Sequence, residues 1–209
     1  MIRSIAACLA LATTALFGSI AHAQLSGEVG VASNAYFHGA TVSDDNPALQ
    51  GSLDYSHDTG PYAGTFMTTV DKVNKEEVEM DFYGGYKGNA GPMSYDVGII
   101  RYQHTATDTL NTNEAYVGAG FRMVNTVFAI NKDGRYTQVG ANHDFYGVKL
   151  GAHFGNTMPE GGNNYTNWGI TARKEYKGFA ITGMLMDSNA PVIGDTSVAV
   201  KVSKMFEFF

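Results

Sequence analysis

The sequence predicts an all-β chain that closes into an antiparallel transmembrane barrel of about twelve strands, because period-2 alternation recurs from end to end. Two further observations support it. The connections alternate between tight turns and longer polar loops, the pattern of outer-membrane barrels. The polar face of the segments carries ionisable residues whose burial in a dry core would cost several kcal/mol per unpaired ion.

The segments follow in order. In the first, Leu25, Val29, Val31, Ala35 and Phe37 share one face and Ser26, Glu28, Ala32, Asn34 and Tyr36 the other. The second, Ala48 to His57, sets Leu49, Leu53 and Tyr55 against Gln50, Ser52, Asp54 and Ser56. Tyr62, Phe66 and Val70 mark the apolar face of the third. The fourth alternates most strictly, with Val78, Met80, Phe82 and Tyr86 against Glu77, Glu79, Asp81, Tyr83 and Lys87. Met93, Tyr95, Val97 and Ile99 oppose Ser94 and Asp96, and Ala115, Val117, Ala119 and Phe121 oppose Glu114, Tyr116 and Arg122. Thr126 to Lys132 alternates poorly and is read as the seventh strand.

Val139, Ala141 and Phe145 then oppose Gln138, Asn142 and Asp144, while Val148, Leu150, Ala152 and Phe154 oppose Lys149 and His153. Trp168, Ile170 and Ala172 face away from Asn167, Thr171, Arg173 and Glu175, and Phe179, Ile181 and Leu185 give the next strand. The last stretch, Thr196 to Phe209, places Val198, Val200, Val202 and Phe206 opposite Ser197, Ala199, Lys201, Ser203 and Met205. A terminal strand of this kind leaves an open edge unless the sheet closes on itself. With the apolar face turned to lipid and the polar face inward, the pore-lining candidates are Glu28, Asp54, Glu77, Glu79, Asp81, Lys87, Asp96, Glu114, Arg122, Lys149, Arg173, Glu175 and Lys201.

Composition narrows the classes. Met1-Ile2-Arg3, an apolar run from Ile5 to Ile20 and Ala21-His22-Ala23 read as a signal peptide at 1–23, leaving residues 24–209 as a single transmembrane barrel. The one cysteine, Cys8, lies within that signal, so disulfides play no part afterwards. No apolar run after Gln24 is long enough for a transmembrane helix. A formal charge of −6 argues against nucleic acid as a partner. The 25 Gly, 12 Tyr and 12 Phe suit a glycine-rich, aromatic β-protein.

Residues 30 to 70 carry a more specific pattern: Asn34-Ala35-Tyr36-Phe37-His38-Gly39, then Pro47-Ala48-Leu49-Gln50-Gly51, then Gly60-Pro61-Tyr62-Ala63-Gly64. This resembles the TorF-type porins, a family of bacterial outer-membrane barrels whose domain has no assigned function. The resemblance implies an outer-membrane location and a channel role. His38 stands where that family usually has arginine, and the chain runs past Phe206, the counterpart of the family's terminal phenylalanine. Barrel-insertion machinery reads aromatic C-terminal strands, so Phe206 or Phe209 is the residue expected to be recognised, and outer-membrane lipid is the other partner.

The functional expectation is a passive diffusion channel for small polar solutes or ions. The alternatives are a non-conducting structural or adhesive barrel and an outer-membrane hydrolase. His38, His57, His104, His143 and His153 lie on separate segments without metal-ligand spacing, so neither a metal nor a cofactor is expected. No serine sits in a recognisable nucleophile setting, and the reading is non-enzymatic. Asp44-Asp45-Asn46 and Gly161-Gly162-Asn163-Asn164 read as solvated loop tips in preference to Ca²⁺ sites.

The stripe Glu77, Glu79, Asp81 is read as structural, neutralised by Lys87 and by Arg101 or Arg122 across the sheet. The competing reading is an acidic stripe that favours cations or amine-bearing solutes. Tyr62, Tyr95, Trp168, Tyr176 and Phe179 read as interface girdles.

Overall fold

Strict alternation gives each run one wet and one oily face, and the chain satisfies both by closing a single sheet into a ring. The computed structural model describes residues 24–71, 76–106, 108–190 and 195–209, so the signal read at 1–23 lies outside the described residues. The strands are β1 (Gln24–Ala32), a two-residue pair β2 (Tyr36–Phe37) and β3 (Ala40–Thr41), β4 (Ala48–Ser56), β5 (Pro61–Asp71), β6 (Glu76–Ala90), β7 (Met93–His104), β8 (Thr112–Phe121), β9 (Val124–Asn131), β10 (Gly134–Phe145), β11 (Val148–Pro159), β12 (Tyr165–Tyr176), β13 (Phe179–Ser188) and β14 (Ser197–Glu207). Each barrel strand pairs antiparallel with its sequence neighbour, and β14 pairs with β1 to close the ring. Thr126 to Asn131, the poorly alternating stretch, is strand in β9.

The seam holds to the last residue. Gly27 lies opposite Phe206 and Gly30 opposite Ser203. Beyond them the Phe208 amide donates to the Leu25 carbonyl at 2.9 Å, and the Leu25 amide to that of Phe209 at 3.0 Å. Every strand edge in the ring is thereby paired, which removes the aggregation template that an open sheet presents.

Both rims follow turn chemistry. On one side the connections are tight. Tyr146-Gly147 and Lys177-Gly178 have positive φ at both positions, the type I′ geometry that matches strand twist. Gly91 (φ 62°) before Pro92 supplies the mirror-image bend with glycine first. The opposite rim carries the longer loops, including 33–47 and 105–111. Short turns face the periplasm and long loops the exterior in barrels of this kind.

The oily face is outside. Val29, Phe82, Ile99, Val117, Val139, Leu150, Phe154, Ile170, Val198 and Val200 are all exposed, Val198 at 71%. A soluble monomer does not tolerate an apolar belt of this extent. At the short-turn rim Lys204 reaches over the rings of Phe179 (5.7 Å) and Phe206 (5.4 Å), and Lys177 over Tyr176 (5.2 Å). These cations end the belt where headgroups begin. Near the long-loop rim the outward face turns polar: Trp168 Nε1 donates to Asp187 at 3.1 Å and Arg101 to Asn113 at 3.3 Å.

Three expectations are corrected. The first strand ends at Ala32, and Ala35 and Phe37 are buried inside the ring. The faces of β5 are the reverse of those read from sequence. Phe66 lies opposite inward Ser52 and Asp81, so Tyr62, Phe66 and Val70 point inward, while Ala63, Thr65 and Met67 face lipid. Tyr62 is therefore no girdle residue. Arg122 lies outside the bore: β8 stops at Phe121, and Arg122 turns the chain with φ 55° and stacks over the Phe121 ring at 5.2 Å, exposed.

Candidate functional site

The inward face of the ring is the candidate site, and its two halves differ. In the long-loop half, residues 33–47 fold back into the bore. Asn34 holds this segment together. Its Oδ1 accepts from Thr41 Oγ1 at 2.7 Å and Ser43 Oγ at 2.8 Å, and its Nδ2 donates to Tyr36 and to Asp45. Ser43 Oγ in turn accepts from the Ala35 amide at 3.0 Å, and the Val42 amide donates to the Ala35 carbonyl at 2.8 Å. Locked in this way, the segment presents Ala35, Phe37 and Val42 to Val70, Ile100, Tyr102, Tyr116, Ala129 and Tyr136 on the wall, forming an apolar core inside the ring.

The segment also reaches the facing wall. Gly39 has φ 79° and sits so close to the Asn167 side chain, with Ser188 beside it, that a Cβ there would collide with Asn167. His38 stacks on Tyr136, ring centroids 3.4 Å apart and planes 13° from parallel. The residue keeps some accessible surface, but its Nε2 is enclosed. Burial, with His153 alongside, holds the His38 imidazole well below its usual pKa. Beside it a cavity of about 20 Å³, room for roughly one water, is lined by His38, Glu114, Asn131, Asp133, Tyr136 and Thr157 among others.

Under this segment lies the acidic stripe of β6. His104, inward at the end of β7, stands between two of its carboxylates, with Nδ1 3.3 Å from Glu77 and Nε2 3.2 Å from Glu79, all without side-chain exposure. Glu77 also accepts from the Ala106 amide at 3.2 Å. Glu114 accepts from Tyr102 at 3.0 Å and Asn131 at 2.9 Å. Asp81 is buried beside them. The neighbour of the stripe differs from the expected one: His104 stands where Arg101 or Arg122 was expected, since Arg101 points outward on β7 and Arg122 lies in its turn. His104 was legible as inward, eight residues along β7 from inward Asp96.

The short-turn half keeps its ionisable groups partly exposed. Glu28 binds Lys201 Nζ at 2.5 Å and lies 3.7 Å from Arg173. Asp54 accepts from Tyr83 and, at 2.9 Å, from Ser52. Asp96 accepts from Tyr62 at 2.6 Å, and Tyr62 in turn bonds Tyr116. Lys87 stands opposite Asp96 in register. Lys149, Arg173 and Lys201 follow one register row across β11, β12 and β14, with Thr182 of β13 between the last two. The bore thus has an acidic arc on β4 to β8 and a basic arc on β11 to β14. Lys149 and Glu175 are exposed at the short-turn rim.

Glycines shape the acidic arc. Gly64 lies opposite Tyr83, and Gly85 opposite Tyr62. A Cβ at Gly64 would meet the Tyr83 ring at 2.6 Å, and one at Gly85 would meet Tyr62 Cζ at 2.7 Å. Each ring therefore lies flat along the wall over its glycine. No group of side chains suited to a metal ion occurs among the described residues.

Residues 18–207 match the Gcw_chp family, described as a bacterial protein of unknown function, and the chain belongs to that family. No curated protein matches the sequence. In fold the chain is similar to the KdgM porin, with a TM-score of 0.64 at 7% identity over 88% of this chain and 99% of that one. It is similar to the KdgM porin in complex with disordered oligogalacturonate, at 0.62 and 6% over 89% and 99%. An outer-membrane channel from Pseudomonas putida F1 gives 0.50 and 14% over 91% and 97%. At such identities the likeness is one of fold. These neighbours are porins and channels, and the chain has the fold of a bacterial outer-membrane β-barrel.

Proposed function

We propose that this member of the Gcw_chp family is a narrow passive diffusion channel of the outer membrane for small polar solutes or ions, in the manner of the TorF-type porins that residues 34–64 resemble. The observation that carries the reading is the inversion of polarity around a closed ring: Val198 and Phe82 face outward while Glu28, Arg173 and Lys201 form partly exposed ion pairs within. The inward candidates Glu28, Asp54, Lys87, Asp96, Arg173 and Lys201 line the bore in this reading, with Lys149 and Glu175 at its mouth. Glu77, Glu79, Asp81 and Glu114 serve the wall and the seat of residues 33–47, and Arg122 takes no part.

The KdgM porin occurs in complex with disordered oligogalacturonate, a polyanion. In this chain the acidic arc faces a basic one, so solutes of either sign meet an attractive wall. The chain works without enzymatic chemistry, and its C-terminal strand, with Phe206 and Phe208 on the lipid face, is the segment offered to the insertion machinery.

Purified protein in planar bilayers tests the proposal, with discrete openings in KCl as the expected result. A second reading, a non-conducting structural barrel, is favoured by one observation: residues 33–47 fill the long-loop half. Absence of openings beyond detergent controls, both for the whole chain and for a variant with that segment shortened, would leave the structural barrel standing.

A further inference from the structure

We propose that the tyrosine and carboxylate wall of the short-turn half, formed by Tyr62, Tyr83, Asp54 and Asp96, binds small organic ammonium ions. This deepens the channel reading, on which it rests for the solute's passage though not for its binding.

Four features point to that ligand class. The rings of Tyr62 and Tyr83 lie over Gly85 and Gly64, which leave them room, and they pack against the apolar core of the long-loop half while each residue keeps part of its surface accessible. Their hydroxyls are already committed, Tyr83 to Asp54 and Tyr62 to Asp96 at 2.6 Å. What the wall then offers is π faces and carboxylate oxygens, both of which attract positive charge. Unlike the acids under residues 33–47, these four side chains keep accessible surface.

The chain also supplies its own alkylammonium. Lys87 Nζ stands 5.5 Å from the centroid of the Tyr62 ring, on the strand position opposite Asp96. Among the described residues the Tyr83 and Asp54 end has no such occupant. Asp54 accepts only from Tyr83 and Ser52 among the described residues, and Lys149, Arg173 and Lys201 belong to the facing arc. An alkylammonium gains more here than potassium does, because its weakly hydrated alkyl groups pack on the ring while the charge remains near the carboxylate.

Choline and its uncharged carbon isostere, 3,3-dimethylbutan-1-ol, separate charge from shape. Binding is measured by saturation-transfer NMR on the full chain in detergent, with the heat-dependent gel migration of folded barrels as the control for folding. Choline should bind at least about tenfold more tightly than the isostere, the ratio that about 1.4 kcal/mol of cation–π attraction gives. Tyr83→Leu should weaken choline binding by a similar factor and Tyr83→Phe, which keeps the ring, should retain most of it. Lys87→Met should strengthen binding several-fold by vacating Tyr62 and Asp96. Equal binding of choline and isostere, no binding of choline, or no gain on Lys87→Met would overturn the proposal. Choline binding without conductance in KCl would sink the channel reading alone; conductance without choline binding would sink this inference alone.

Discussion

The long-loop and short-turn halves of the bore are made by the same strands with the same alternation, yet they treat inward charge differently. Above, Glu77, Glu79, Asp81 and Glu114 are sealed under a folded-back segment and held by His104, Tyr102 and Asn131. Below, Glu28, Asp54 and Asp96 meet Lys201, Arg173 and tyrosine hydroxyls while remaining in reach of solvent. The contrast comes from residues 33–47 and not from the strands. A segment that brings Phe37 and Val42 inward converts half of a wet bore into a core, and the wall beneath it changes accordingly: Val70, Ile100 and Ala129 appear on the face that elsewhere carries ions.

The contrast can be broken most severely at His104. His104 fills the buried space between Glu77 and Glu79, and leaving buried polar groups without their neighbour costs about 1–3 kcal/mol each, so His104→Ala should lower the unfolding temperature seen by heat-dependent gel migration by the largest margin of any single change considered. Ion selectivity should barely move, because Glu77 and Glu79 are sealed from the bore; a large shift in reversal potential would place them in the ion path.

A smaller effect follows from unlocking the segment. Asn34→Ala removes the acceptor shared by Thr41 and Ser43, worth about 1–3 kcal/mol for the groups left unsatisfied. Single-channel conductance should rise and loop 33–47 should become open to protease while the ring stays folded. Unchanged conductance would mean that the segment does not limit passage.

Acidification should act in the same direction, more gently. Because burial holds His38 neutral when seated, a released segment binds a proton that the seated one does not. The seated form is fully favoured above the ordinary imidazole pKa of about 6.5 and loses up to about 1.4 kcal/mol per pH unit below it, until the depressed pKa of the seated form is reached. Among the described residues, Tyr136, His153, Glu114, Asp133 and Arg135 are the titratable groups around the ring. Conductance should therefore increase as pH falls below about 6, and His38→Phe should flatten that response. The smallest effect belongs to Arg122→Ala, which should leave conductance and selectivity unchanged; a measurable change would return Arg122 to the bore.

Much of this was legible in the sequence. The strands and the closed ring followed from alternation, since polarity inversion is written plainly in β6, β11 and β14. Three residues show where that logic stops. Tyr62 reads as lipid-facing because tyrosine suits either environment and because Phe66 and Val70 share its face. On β5 the apolar side is the inner one, since a distant segment covers it. Arg122 has inward parity, but parity lapses at a turn. His104 shows only the absence of metal-ligand spacing in the sequence, because its carboxylates lie on the neighbouring strand, and strand pairing rather than spacing brings them within 3.3 Å.

One consequence concerns assembly. The seam joins residues 25–33 to 200–209, so the contact that shuts the ring is the one between the most distant parts of the barrel. Loop-closure entropy makes such a contact the slowest to arrive. The sheet must therefore pass through a stage with two raw margins, and at Gly30, where a Cβ would meet that of Ser203 at 2.7 Å, those margins can come together only because no side chain stands between them.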